Sequence, residues 1–180
     1  MNKKFTYILA ALFLFGSSYI LKAGGPSTPD QIARGIFSAL LKSDSISFAK
    51  MYEVSKVDMD WYDKKLESDT LIAPETKEDY VEEFATSMHT INTRLPKDFH
   101  SKWLEGLKSH GIKKEDVRYI QAYYLQTNKK MNLDAISLEI KFLSKGSYYF
   151  VEVTLLEING KWKGLMIEKF ELCDKYFDGY

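Results

Sequence analysis

A single cysteine, Cys173, in 180 residues excludes an internal disulfide, so the stability of this chain must come from packing. Three histidines, His89, His100 and His110, offer little from which to build an imidazole metal site. His100 and His110 stand ten residues apart in a helical pattern, about 15 Å along a helix axis, and cannot share an ion there. Neither sign of charge prevails: 25 basic residues face 25 acidic ones. With no basic stripe, nucleic acid and anionic membrane surfaces are not expected partners. No GxSxG, phosphate loop, HExxH or paired CxxC occurs, so no cofactor, metal or catalytic residue follows from a motif.

A long hydrophobic run is also missing. The apolar stretch Ile8 to Phe15 is shorter than the roughly 20 residues of a membrane span. It follows the basic start Asn2-Lys3-Lys4 and precedes Gly16-Ser17-Ser18, the pattern of an export signal over residues 1–23 with cleavage after Ala23. Leu21 and Lys22 make that cleavage site imperfect and leave an uncleaved anchor as the alternative. Cleavage would remove Lys3, Lys4 and Lys22, leaving 22 basic residues against 25 acidic and a net charge of about −3. The expected organisation is a signal peptide (1–23), a Gly/Pro/Ser linker (24–28) and one domain (29–180). Export without disulfides fits a bacterial periplasm or cell exterior.

What the chain does have is concentrated near its C-terminus. Asn159-Gly160 lies between two apolar-rich runs, the strongest short signal for a two-residue hairpin, because both positions need positive φ. Pairing Ile158 with Lys161 places Leu155, Val153, Val151 and Tyr149 on one face with Trp162, Met166 and Phe170, and Gly164 opposite Leu155. A second turn at Lys145-Gly146 pairs Ser144 with Ser147 and brings Ile136, Leu138, Ile140 and Phe142 to the same face. Val117 to Gln126 reads as an earlier strand, joined by a polar loop, which completes a four-stranded antiparallel meander. The opposite face carries Glu139, Lys141 and Glu152 with Phe150, Leu165 and Ile167. That is more apolar than a solvated face, and Phe150, Leu165 and Ile167 are the expected contact with a partner, as in a homodimer.

Helices are expected before the sheet. Thr28 caps the first, with Pro29 in its first turn and Gln31 closing a capping box; Ile32, Ile36 and Leu40 form its stripe. Ser43-Asp44 ends it, and a second helix packs through Ile46, Phe48, Ala49, Met51 and Tyr52. Val57, Trp61 and Leu66 suggest a short helix, and Thr70-Leu71-Ile72 a short strand ended by Pro74. Thr76 is expected to cap a helix carrying Tyr80, Phe84, Met88, Ile91 and Leu95. Pro96 is expected to open another, with Phe99, Trp103, Leu104 and Leu107, stopped at Gly111.

The remaining candidates are few. Asp58, Asp60 and Asp63 lack the Gly and distal Glu of a calcium loop and read as an acidic helix surface. Glu139 and Glu152 fall directly opposite each other, close enough for one to raise the pKa of the other unless Lys141 and Lys169 neutralise them. Tyr149, Trp162, Trp103 and Tyr123 are expected to line a pocket for a small apolar ligand between sheet and helices.

Helix, acidic turn at Ser43-Asp44, second helix, further helices and a long meander, with the stretch ARGIFSALLKSDSISFAKM, resemble the small exported bacterial members of the NTF2-like (cystatin-like α+β) superfamily. The resemblance implies a cone whose curved sheet wraps a helix, a pocket at its open end and dimers through the outer sheet face. No catalytic residue of that superfamily maps onto a matching motif. The expected function is therefore an exported, non-catalytic binding module for a small apolar ligand or a protein. The alternative is a small isomerase- or hydrolase-like enzyme using a pocket carboxylate and a tyrosine.

Overall fold

A computed structural model describes residues 28–172. The expected signal and most of the linker, residues 1–27, lie outside the described residues, as does Cys173. The architecture is α+β: helices packed on a four-stranded antiparallel sheet in the order β1-β2-β3-β4. The helices are α1 (Pro29–Lys42), α2 (Ser45–Tyr52), α3 (Lys56–Ser68), α4 (Pro74–Asp98) and α5 (Glu105–Ser109), with a π-helical segment (Phe99–Leu104) between the last two. The strands are β1 (Arg118–Lys130), β2 (Leu133–Ser144), β3 (Ser147–Ile158) and β4 (Lys161–Leu172).

Local chemistry sets the helix starts. Thr28 and Gln31 form the expected capping box, each side chain accepting from the other's backbone N–H. Asp44 caps α2 by accepting from Ser47 N–H at 2.7 Å. In α2 only Phe48 and Ala49 are buried; Ile46 and Met51, expected to pack, are exposed because α2 offers the core a single narrow stripe. No strand forms at residues 70–72, which make a turn with Leu71 in solvent. The helix expected from Thr76 starts earlier, at Pro74, whose fixed φ and missing N–H suit a first helical position.

Pro96 does not open a new helix. It sits inside α4, which runs on into the π-helical segment, where Glu105 N–H reaches His100 O five residues back. Leu95, Phe99, Trp103 and Leu107 are all buried. A four-residue repeat drifts about 40° per step around an α-helix. The wider π turn takes up that drift and keeps the four side chains aimed inward. Gly111, at φ 63, ends α5 as expected.

The sheet keeps both expected turns. Ser144 faces Ser147, Ile158 faces Lys161, and Glu139 faces Glu152. Besides two bulges in β1, two features depart from the sequence reading. The first is a third tight turn at Met131-Asn132, where φ is 50 and 57; β1 extends to Lys130 and no polar loop intervenes. Tertiary contacts hold this turn: Tyr62 OH donates to Met131 O at 2.5 Å and Lys65 Nζ to Asn132 O at 2.6 Å. The second is a pair of register shifts between β3 and β4, after which Thr154 faces Met166, Val153 faces Ile167 and Val151 faces Phe170.

Those shifts correct a face assignment. Leu165 and Ile167, expected on the outer face, are buried core residues, and Met166 turns outward instead. Gly164 is the cause. It takes φ +59 at the first shift, and a Cβ there would stand 3.3 Å from Met88 Sδ on α4. Gly164→Ala is therefore expected to cost about 1–2 kcal/mol through left-handed strain and contact with Met88. Gly146→Ala, at positive φ but in open space, serves as control. Urea unfolding of both variants checks this, and equal losses would remove the part assigned to Met88.

The core has two parts on opposite faces of the sheet. Ile136, Leu138, Val153 and Leu155 join α1, Phe48 and the π-helical segment. Leu133, Ala135, Leu156 and Ile158 join Tyr62, Leu66, Phe84 and Met88 from α3 and α4. Because Ala135 faces Leu156 and Ile136 faces Leu155, neighbouring pairs point to opposite sides. The hairpin end of the sheet thus buries the face that its other end leaves open.

Candidate functional site

That open face carries one transverse row of functional side chains. Tyr123 on β1 faces Glu139 on β2, which faces Glu152 on β3, which faces Lys169 on β4. Alternation along the paired strands is what brings these four to one side. The next row holds Gln121, Lys141, Phe150 and Glu171; the preceding one includes Ser137 and Thr154, whose hydroxyls are hydrogen-bonded at 2.9 Å.

The electrostatics follow from this packing. Burial pushes the Glu139 carboxyl above the usual carboxylate range; the Lys141 ammonium pulls it back, and the Glu152 charge pushes it up again. Lys141 is itself almost fully buried, with Nζ 5.7 Å from the centre of the Tyr123 ring. Gln121 donates a hydrogen bond to Tyr123 OH. Lys169 Nζ lies 3.9 Å from Glu152 and 3.8 Å from Glu171. Both lysines expected to neutralise the carboxylates are in place, and burial still leaves the Glu139 carboxyl above its usual range. The face can therefore accept hydrogen bonds at its carboxylates, donate from Tyr123, and offer apolar contact at Phe150.

The expected ligand pocket does not assemble. Trp103 and Tyr149 are core residues: Trp103 meets Phe37, Phe142 and Phe170, and Tyr149 stacks on Phe142 with ring centres 5.5 Å apart. Trp162 packs against the same core, whereas Tyr123 faces the opposite side of the sheet. The aromatic side chains fill the interior with one another, so they enclose no shared volume. Of the expected interface residues, Phe150 alone lies on the outer face.

An open groove of about 460 Å³ lies elsewhere, between α5 with its π-helical approach and the end of β4. Its wall includes Lys102, Glu105, His110, Glu168 and Phe170. Phe170 can approach the helix because position 106 is glycine: a Cβ there would stand 2.6 Å from Phe170 Cγ. His110 Nδ1 lies 2.9 Å from Gly106 O, so the ring closes the helix end, and it packs against Tyr149 and Phe170. His89 and His100 are exposed. Among the described residues no group of three or more His, Cys, Asp or Glu could hold a metal ion.

Asp58 has another role from the one its sequence context suggests. It is buried, not part of an acidic surface: it caps α3 with Ser55 and pairs with Lys163 of β4. The sequence signal for this was Ser55 followed three residues later by an acid, a capping pattern overshadowed by the acidic run DMDWYD.

Fold and face together define an α+β protein whose helices pack on a four-stranded antiparallel meander, with a mixed polar and aromatic patch on the uncovered part of the sheet. Among the described residues no helix is long and apolar enough to cross a membrane. The chain matches no known family, no curated protein and no solved structure.

Proposed function

We propose that this chain is an exported, non-catalytic binding module that engages a protein partner through the outer face of its sheet. The observation that carries the reading is the patch on which Phe150 and Tyr123 stand beside the half-buried Glu139–Glu152 pair and the nearly buried Lys141. Export is supported by the signal pattern of residues 1–23. Kinship with the NTF2-like superfamily is supported by the order of helices and meander; the missing strand after α2 weighs against it. A second copy of the chain is the first partner to test.

A photocrosslinking side chain at position 150, in protein expressed in its native host, is expected to trap a partner or second copy that the same group at exposed Lys64 does not. Equal yields at the two positions would overturn the reading. Phe150→Lys is expected to abolish the adduct trapped by the crosslinker placed at neighbouring position 148.

A second reading, an isomerase- or hydrolase-like enzyme, is favoured by one observation: Glu139, raised by burial, shares a row with Tyr123. Under this reading Glu139 is the base, so turnover of an ester or keto substrate is lost in Glu139→Gln and falls as pH drops through the Glu139 titration and its carboxylate is protonated. Turnover that survives the substitution removes it.

A further inference from the structure

We propose that the free edge of β1 is a second docking site, taking an extended acidic segment of a partner protein as an additional strand. It shares only Tyr123 with the outer-face patch, rests on the β1 backbone with Ile120 and Leu125, and does not depend on that patch being used. β1 is 13 residues long and, among the described residues, pairs only with β2, so its other side presents backbone N–H and C=O groups with no described strand against them.

The side chains along this edge are unusual. Ile120, Tyr123, Tyr124 and Leu125 are 37%, 42%, 40% and 51% exposed. Tyr124 faces Leu138 and Tyr123 faces Glu139, so they point to opposite sides of the sheet, yet both reach solvent. The middle of β1 therefore reaches solvent on both faces, at Tyr123 and at Tyr124. α1 reaches the beginning of the strand, where Asp30 accepts from Tyr119 OH at 2.6 Å and Arg34 lies over the Tyr119 ring.

Ile120 and Leu125 are the extra residues at two register shifts against β2. Bulges are a common defence against unwanted edge pairing. A bulge used for defence alone works as well with a polar residue. Here each one turns a large apolar side chain out of the ladder, and between Leu125 and the turn the pairing of residues 126–130 is regular. That five-residue stretch is long enough to hold an added strand, with Leu125 as its apolar anchor.

Charge selects the occupant. Residues 117–133 contain Arg118, Lys129 and Lys130 and no aspartate or glutamate. Asp134 faces Lys129 across the ladder, and Glu139 lies behind Tyr123, both on β2 rather than on the edge itself. In a chain without net positive charge, an edge strand bearing only basic charges favours an acidic segment and disfavours a second copy of itself, since antiparallel self-pairing would set Arg118 near Lys130.

The test pans a phage-displayed library of random twelve-residue peptides against the full chain, after depletion on the Ile120→Lys/Leu125→Lys variant. Recovered peptides are expected to be rich in Asp and Glu alternating with β-branched or aromatic residues. Their synthetic forms are expected to bind at least tenfold more weakly to Leu125→Lys and to Lys129→Glu/Lys130→Glu, both checked for folding by circular dichroism, and to slow amide exchange over residues 126–130. Neutral or basic peptides, binding unchanged in the variants, or an empty selection would each overturn the proposal. So would a parent chain that scatters light as a dimer and becomes a monomer in Leu125→Lys, which would assign this edge to a second copy.

Discussion

Trp103→Ala is expected to destabilise the fold by about 3–5 kcal/mol, close to the whole stability of many small domains. Trp103 has no exposed surface and sits where α1, the π-helical segment and the sheet converge. Its ring lies 5.5 Å from Phe142, 5.8 Å from Phe170 and 6.1 Å from Phe37, centre to centre. Truncation leaves a cavity walled by rigid aromatics from separate elements, which limits how far the site can collapse. It also removes the Nε1–H donor that reaches Leu40 O at 3.1 Å, near the end of α1. Trp103→Phe separates the two losses: most of the packing stays, the donor goes, and the expected cost falls to about 1–3 kcal/mol. Urea unfolding followed by far-UV circular dichroism measures both. A loss below about 1 kcal/mol for the alanine variant would mean that the π-helical segment does not hold this ring in the core.

The same region shows what the sequence could and could not tell. Phe99, Trp103 and Leu107 were legible as one packing stripe because their spacing is regular. The continuous path through Pro96 was not, since a proline reads locally as a helix start and only tertiary packing carries the helix past it. The turns at Asn159-Gly160 and Lys145-Gly146 were legible from residues that tolerate positive φ. Met131-Asn132 was not, because its conformation is held by Tyr62 and Lys65 from a helix more than sixty residues away in sequence. In the site, the opposed Glu139 and Glu152 followed directly from the Lys145-Gly146 register. Leu165 and Ile167 were misplaced because a bulge exchanges faces, and its signal, Gly164, reads equally as a gap opposite Leu155. Side-chain alternation is reliable only between bulges, and β1 and β4, the two strands that carry bulges, are the two edges of this sheet.

Lys163→Met is expected to cost about 3–5 kcal/mol, because it strands a charge that folding has already taken out of water. The Asp58 and Lys163 side chains are 5% and 15% exposed and join the first turn of α3 to β4. Burial pushes the Asp58 carboxyl up, but hydrogen bonds from Lys163 and Ser55 outweigh it and leave the group below its usual range. A carboxylate depressed in the folded state contributes stability that is fully present above its unfolded pKa, about 3.9, and is lost as pH falls through the lower folded value. In the parent this loss is confined to strongly acidic solution. Without the ammonium, burial has much less to oppose it and the Asp58 pKa rises above the unfolded value, so the sign reverses. Lys163→Met should become relatively more stable as pH falls from 7 toward 4, while the parent stays flat or weakens. Asp58→Asn/Lys163→Met removes both charges and is expected to recover most of the loss with no such slope. Urea midpoints for the three proteins between pH 4 and 8 decide the matter. A single variant with the parent's midpoint at pH 7 would show that the pair stays in contact with water and does not fasten α3 to the sheet.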